Sequence, residues 1–248
     1  MNFTKQLLIT KLKATAVHLS MSIAVFMYLA YQIYYNWYPE PYFTVDGGLQ
    51  GFKLVGAIDL VLGPLITFLI FDLRKSRREI LFDLMIILVI QFGALGYGVY
   101  TTYTQRPVAV VVIADYVIPV TLEQYGTVIE SASELQRYSD EKPPIIYSDY
   151  SMTGDKIVEV GRIREEHNAL EQAQPQLYWP QSKFPEVLKK RQSKTLGLLE
   201  NSGSKQAYTD WLQQNGKTAE EILLLRFEGR YGKAWLIFDL EGKLIGYF

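Results

Sequence analysis

The 248 residues include 49% hydrophobic and 21% charged side chains and no cysteine. This composition excludes a disordered chain, and the lack of cysteine excludes a disulfide scaffold, a Cys-ligated metal site and a thiol nucleophile. Twenty-five basic residues against 26 acidic ones give a net charge of −1. Nucleic acid is therefore not an expected partner, because a nucleic-acid binder carries a basic excess.

The charge is spread unevenly along the chain. Residues 1–104 carry 14 charged side chains, whereas residues 105–248 carry 37. The mean hydropathy of +0.03 is therefore the average of two different parts. We predict a three-span transmembrane region at 1–105, followed by a charged domain at 106–248.

Three apolar runs are long enough, or nearly long enough, to cross a bilayer as helices, which takes about 20 residues. The runs 14–35 and 84–105 contain no charge, and the shorter run 54–71 is interrupted only by Asp59. The first run is longer than the apolar core of a signal peptide, about 7–15 residues, and no A-x-A site follows it. We therefore predict that it is retained as an anchor.

Basic residues predict the orientation of the spans. Three lysines precede the first run and four basic residues lie in the loop 72–79, whereas the connection 36–53 contains one lysine. Because basic residues concentrate in cytoplasmic loops, the N-terminus and loop 72–79 are predicted to be cytoplasmic. The domain at 106–248 then lies in the periplasm, and the protein is a multi-pass protein of a bacterial inner membrane.

Polar residues within the spans are the main candidates for function. A charged Asp near a helix centre costs roughly 2.5–3.5 kcal/mol on insertion scales, so Asp59 is expected to be paired or functional. It is predicted to lie about 8–9 Å from the outer end of its span, at a 1.5 Å rise per residue. There it either accepts hydrogen bonds from Trp37 or the preceding loop, or contacts a partner. Pro64 follows, and we expect a kink there because proline lacks the amide donor.

The remaining membrane candidates lie on the other two spans. His18 is expected to approach Asp83 and not Asp59, which is predicted to lie in the other leaflet. Gln91 is the polar side chain expected near the midplane of the membrane. A proton relay needs polar residues at successive depths, so a relay is not expected. Glycines in the third span allow helices to approach closely, either within this chain or with a partner helix. The full set of candidate partner-contact or structural residues is Asp59, Pro64, Gln91, Gly93, Gly96 and Gly98.

The domain at 106–248 is predicted to be α+β. We predict strands at 107–114, 116–122, 145–147 and 156–160, the first of them central because it is continuously apolar. Helices are predicted at 123–138, 165–173, 184–201 and 204–214. Three apolar runs separated by Gly-containing turns, 223–227, 234–239 and 244–248, predict a C-terminal antiparallel meander.

No motif for catalysis is present in the sequence. His167 is not accompanied by a nucleophile motif, and the Gly-rich segment 46–51 lacks the lysine of a phosphate loop and is predicted to be a turn. We interpret Glu165, Glu166 and the acids of 149–155 as surface charge. The protein is therefore predicted not to be an enzyme, and no cofactor or metal is expected.

Five strings carry a family resemblance: WYPEPYF-x-x-DGG at 37–48, DLVLGPLITF at 59–68, FDL at 82–84, Q-x-x-A-L-x-Y-G at 91–98 and RPVAVV at 106–111. They resemble the TfpX/TfpZ family of type IV pilin accessory proteins over about residues 14–112. The segment 138–214 has no motif-level likeness. The resemblance implies an inner-membrane accessory or chaperone whose partners are pilin and the lipid bilayer, and it brings no catalytic residues.

A second interpretation stays open. The chain could be a membrane-tethered periplasmic binding or sensor module unrelated to pilin. A sensor needs a cytoplasmic output, and the predicted cytoplasmic segments are short, which disfavours signalling. The sequence does not indicate the oligomeric state.

Overall fold

The computed structural model describes residues 3–72, 74–113, 116–148 and 154–248. The chain forms two compact units. The first consists of Met1–Phe43 and Gly47–Gln105, and the second of Thr44–Asp46 together with Arg106–Phe248. Ala114, at the end of a predicted strand, and Asp149, in the predicted acidic surface, lie outside the described residues.

Three helices among the described residues are long and apolar enough to cross a membrane, as predicted. The first span, Lys5–Trp37, includes α1 (Phe3–Tyr31) from Lys5 onward and a π-helical continuation, Gln32–Trp37. The third span is α5 (Arg77–Thr104). It begins with a capping box in which the Ser76 side chain and the Glu79 side chain each accept a bond from the other's backbone amide.

The second span, Gly48–Ile70, begins six residues before the predicted start at 54. After the short α2 (Tyr42–Val45), Gly47 adopts φ 114°, a conformation that glycine accommodates without strain, and α3 (Gly48–Gly56) starts directly after it. The prediction was wrong because it stopped at the charge of Lys53, which the helix carries on an exposed position.

Before Pro64, where a kink was predicted, the second span contains a π-helical segment. Residues Ala57–Leu62 are π-helical, and α4 (Gly63–Ile70) follows with Pro64 in its first turn. Proline has no N–H for the carbonyl one turn earlier, so a wider turn before it is a physical way to accommodate it. Asp59 lies inside this π-helical segment.

The second span packs against both α1 and α5. Phe26 of α1 meets Phe52 edge-on, with ring centroids 5.0 Å apart. On the other contact, a Cβ placed on Gly51 would lie 2.3 Å from Cγ2 of Thr102, so the glycine permits a close approach of α5.

Two three-stranded sheets form within the described part of the second unit. The first has β1 (Ala109–Ile113) at its centre, antiparallel to β2 (Tyr116–Val120) and parallel to β3 (Ile145–Ser148). All of β1 is buried, which confirms the predicted central strand. The second sheet confirms the predicted antiparallel meander: β4 (Leu223–Glu228), β5 (Lys233–Phe238) and β6 (Leu244–Tyr247).

Two helices of this unit agree with the sequence, α7 (Phe184–Asn201) and α8 (Lys205–Asn215), the latter ended by Gly216 in the left-handed conformation. Together with the meander they enclose a core cluster whose buried members are Leu199, Ile222, Leu224, Trp235 and Ile237.

Three predictions in this domain were wrong. The predicted helix 165–173 is not continuous, because α6 (Asp155–His167) ends before the left-handed Asn168 and a separate 3-10 turn, Glu171–Ala173, follows. The predicted helix 123–138 is two 3-10 helices, Leu122–Tyr125 and Ala132–Arg137, because the first ends at Gly126 and the second starts at the separate N-cap Ser131. The predicted strand 156–160 belongs to α6 (Asp155–His167), which buries Val160 and Ile163 three residues apart on one helical face.

Candidate functional site

A polar cluster in the first unit links the three spans through one carboxyl group. Oδ1 of Asp59 accepts hydrogen bonds from Ser22 Oγ of the first span, at 2.9 Å, and from Gln91 Nε2 of the third span, at 3.0 Å. The three side chains are each at most 7% exposed. Oδ2 of Asp59 and Oε1 of Gln91 are also buried, and neither has a hydrogen-bond partner among the described residues.

The backbone of the second span determines how closely Gln91 can approach. A Cβ placed on Gly63 would lie 2.5 Å from Oε1 and 2.9 Å from Nε2 of Gln91. The absence of a side chain at Gly63 therefore leaves room for the Gln91 amide beside Asp59. Pro64, buried next to Gly63, begins the helix that follows the π-helical segment.

His18 lies one helical turn before Ser22 on the first span. Its Nδ1 is 2.5 Å from Oγ1 of Thr67, a buried residue of the second span. The contact between His18 and Asp83 does not form, since Asp83 pairs with Lys75 at 2.6 Å.

His18 and Asp59 do not pair directly, as expected, although both side chains line the same cavity. Asp59 lies 11 residues after Gly48, about 16 Å along a helix of 1.5 Å rise, which is the middle of the span and not 8–9 Å deep. The expected donor Trp37 instead packs against Tyr103, with ring centroids 5.2 Å apart.

These polar side chains form part of the lining of a cavity of about 480 Å³, which we call the groove. Its walls come from the first span between Ala14 and Val25 and from the third span between Leu84 and Leu95. Each wall is therefore about 16 Å long. The polar lining is His18, Ser22, Asp59, Thr67 and Gln91, and the other lining residues are apolar.

The groove is open along part of its length. Met21 and Phe92 both line it, and both are 68% exposed. An apolar groove of this kind, with a few convergent polar groups, is the usual form of a binding site.

The candidate glycines of the third span divide into two kinds. A Cβ on Gly98 would lie 3.0 Å from Cδ1 of Ile58, so Gly98 permits packing within the chain. A Cβ on Gly93 or Gly96 would meet nothing within 4 Å, and both residues are exposed. Packing within the chain, one of the two expected uses, therefore accounts for Gly98 and does not explain Gly93 and Gly96.

An ion pair between a buried aspartate and a partly exposed arginine of the second unit was missed by the sequence analysis. Asp46 is completely buried, and its Oδ1 accepts from Nε of Arg230 at 3.1 Å and from the Arg230 backbone amide at 3.2 Å. The Tyr231 amide donates to the Val45 carbonyl at 2.9 Å. Burial raises the pKa of Asp46, and the Arg230 guanidinium opposes this rise. The two partners are 184 residues apart, so no local sequence signal connects them.

The acid–base candidates of the second unit form ordinary surface contacts. Glu166 pairs with Arg162 one turn earlier on the same helix, and both are exposed. Nδ1 of His167 lies 3.0 Å from Oγ1 of Thr127. Within the part of the chain that the structure describes, no group of three His, Asp or Glu side chains is placed to hold a metal ion.

The chain has three apolar helices that form a groove with polar groups, and a small α+β domain follows them in the sequence. These features define a class of helical membrane protein with one folded polar domain. Residues 6–47 match the family described as fimbrial assembly protein FimB. The chain is also 38% identical over 111 residues to the "Fimbrial assembly protein, serogroups C1 and C2" of Dichelobacter nodosus, a match that covers 45% of this chain and 85% of that protein. The chain therefore belongs to the family of fimbrial assembly proteins.

Two further relatives come from the same organism. The "Fimbrial assembly protein, serogroup E1" and the "Fimbrial assembly protein, serogroup I" are each 38% identical over 111 residues, which is 45% of this chain. The matched region spans 43% of each of these two proteins, less than half of their length. No solved structure matches the chain.

Proposed function

We propose that this chain is a non-catalytic accessory protein that holds type IV pilin in the bacterial inner membrane and promotes the assembly of pili. The names of the relatives support a role in fimbrial assembly. The TfpX/TfpZ-like strings support the narrower role as a pilin chaperone. The observation that carries the proposal is the groove, because its length of about 16 Å and its lining suit contact with one face of a transmembrane helix.

The proposed topology has the N-terminus and loop 72–79 in the cytoplasm, and the domain at 106–248 in the periplasm. Arg74 and Lys75 just before the third span, and Arg77 and Arg78 in its first turn, are all exposed, as expected of a loop that follows the positive-inside rule. A pilin head outside the inner membrane is then on the same side as the domain at 106–248.

This topology has a clean test because the chain contains no cysteine. A single cysteine is placed at Ser76 in the basic loop or at Ser202 in the second unit, both exposed positions. In cells with a permeabilised outer membrane, an impermeant maleimide should label Ser202→Cys, and should label Ser76→Cys only after lysis. The opposite labelling pattern would contradict the topology.

The mechanism is the simultaneous binding of two parts of one partner. The groove binds the transmembrane helix of pilin, and the domain at 106–248 binds its head. When two contacts are joined in one chain, the second forms at a high effective concentration, so two weak contacts give a stable complex that still separates in steps. Such a complex stabilises pilin before assembly and releases it without a covalent reaction.

Site-specific crosslinking in cells of the native host tests the helix contact. A photoreactive amino acid replaces Leu88, which lines the groove, or its neighbour Val89, which is 68% exposed and lies outside the groove. We expect an adduct recognised by an antibody against pilin from position 88, and a much weaker one from position 89. Equal yields at both positions, or no pilin at either, would contradict the proposal.

A further inference from the structure

We propose that the occupant of the groove is a transmembrane helix whose side chain brings a hydrogen-bond donor to Oδ2 of Asp59 and Oε1 of Gln91. The identification of that helix as pilin rests on the proposed function. The chemistry of the contact rests on the groove alone.

The cluster of Ser22, Asp59 and Gln91 in the groove has more hydrogen-bond acceptors than donors. The Ser22 hydroxyl donates to Asp59, and so does Nε2 of Gln91. Oδ2 of Asp59 and Oε1 of Gln91 then remain, both buried and without a partner among the described residues. Where water is excluded, an unsatisfied polar atom is strongly unfavourable, so these two atoms favour an occupant with a donor.

A helix fits this requirement, whereas a lipid chain does not. An acyl chain has no hydrogen-bond donor and would leave both oxygens unsatisfied. A helix satisfies its own backbone groups and can present one polar side chain among apolar ones. The walls are about 16 Å long, which corresponds to three helical turns of 5.4 Å. The donor must lie at mid-depth in the membrane, because Asp59 lies in the middle of its span.

The substitution Asp59→Asn tests the direction of the hydrogen bond. The amide oxygen of asparagine can still accept from Ser22 and Gln91, but its NH₂ group replaces the free acceptor Oδ2 by a donor. A partner that brings a donor should then bind the groove more weakly. A partner that only fills the space should bind as before. We expect the yield of the adduct from position 88 to fall about three- to tenfold, the range for one interhelical hydrogen bond.

Asp83→Asn is the matched control, because it makes the same chemical change near the start of the third span. Asp83 pairs with Lys75 and does not line the groove, so its replacement should leave the yield unchanged. Yields are divided by the amount of protein in the membrane. If Asp59→Asn does not accumulate there, Gln91→Met, which removes the other free oxygen, should give the same loss.

The outcomes separate this inference from the proposed function. If Asp59→Asn, or Gln91→Met in its place, captures pilin as well as the wild type does, the inference fails and the proposed function stands. If the adduct at position 88 is a different transmembrane protein and its yield depends on Asp59, the inference stands and the proposed function fails. An adduct with phospholipid alone would overturn the inference.

Discussion

The substitution Gly63→Ala should disrupt the polar cluster without changing any polar group. The new Cβ would lie 2.5 Å from Oε1, 2.8 Å from Cδ and 2.9 Å from Nε2 of Gln91. Ordinary contacts with carbon are about 3.5–4.0 Å, so the end of the Gln91 side chain must move by about 1 Å. That movement breaks the 3.0 Å bond from Nε2 to Asp59. Overpacking and the lost interhelical bond together should lower the free energy of unfolding by about 2 kcal/mol.

Gly96→Ala is the control, since it is the same substitution in a spanning helix and its Cβ meets nothing within 4 Å. Both variants gain the helix propensity of alanine, so the comparison removes that effect. The assay is unfolding of the purified full-length protein in mixed micelles by titration with SDS, followed by circular dichroism. In a Gln91→Ala background the clash is absent, and Gly63→Ala should then behave like Gly96→Ala. Equal stability of Gly63→Ala and Gly96→Ala in the otherwise native protein would refute the reasoning.

Two predictions concern the second unit, and both are measured by denaturation of the full-length protein followed by tryptophan fluorescence. Arg230→Ala leaves the buried Asp46 carboxylate without its guanidinium and should lower the free energy of unfolding by about 2 kcal/mol; a loss below about 0.5 kcal/mol would contradict the importance of this pair. Burial raises the pKa of the hydrogen-bonded Tyr125 and Tyr178 phenols above their ordinary value near 10. The unfolded phenols ionise first as the pH rises, so stability should be constant below pH 10 with respect to these groups and fall above it, less steeply in Tyr125→Phe. An equally steep fall in that variant would show that other groups cause it.

The elements with a strong periodic or compositional signal could be predicted from the sequence. The continuous apolar run of β1 predicted a buried central strand, and three apolar runs with glycine turns predicted the meander. The three spans could be predicted because a bilayer requires long uncharged helices.

The local β propensity of the segment 156–160 led to the wrong prediction of a strand there. Ile157 and Val158 favour a strand by propensity, yet both are exposed on α6, where packing is provided by Val160 and Ile163. Tertiary packing decided the outcome against the β propensity of the segment.

The candidate site could be predicted only in part. Asp59 and Gln91 were both selected as unusual polar residues in apolar spans, but their contact depends on the starting point of the second span and on the room left by Gly63. Ser22 was missed, although it lies four residues after His18 and therefore on the same helical face. The four-residue spacing of these two polar residues is the signal that would have indicated a shared polar face. Sequence spacing alone carries no information about which faces of three helices meet.

The lifetime of pilin in the membrane tests the central claim most directly. Newly made pilin is labelled in a pulse and followed in cells of the native host that cannot polymerise pili, with and without this protein. Because the protein is proposed to hold pilin before assembly, the half-life of pilin should be several times shorter in cells that lack it, and the wild-type chain should restore it. An unchanged half-life, together with normal piliation in assembly-competent cells that lack the protein, would contradict the account.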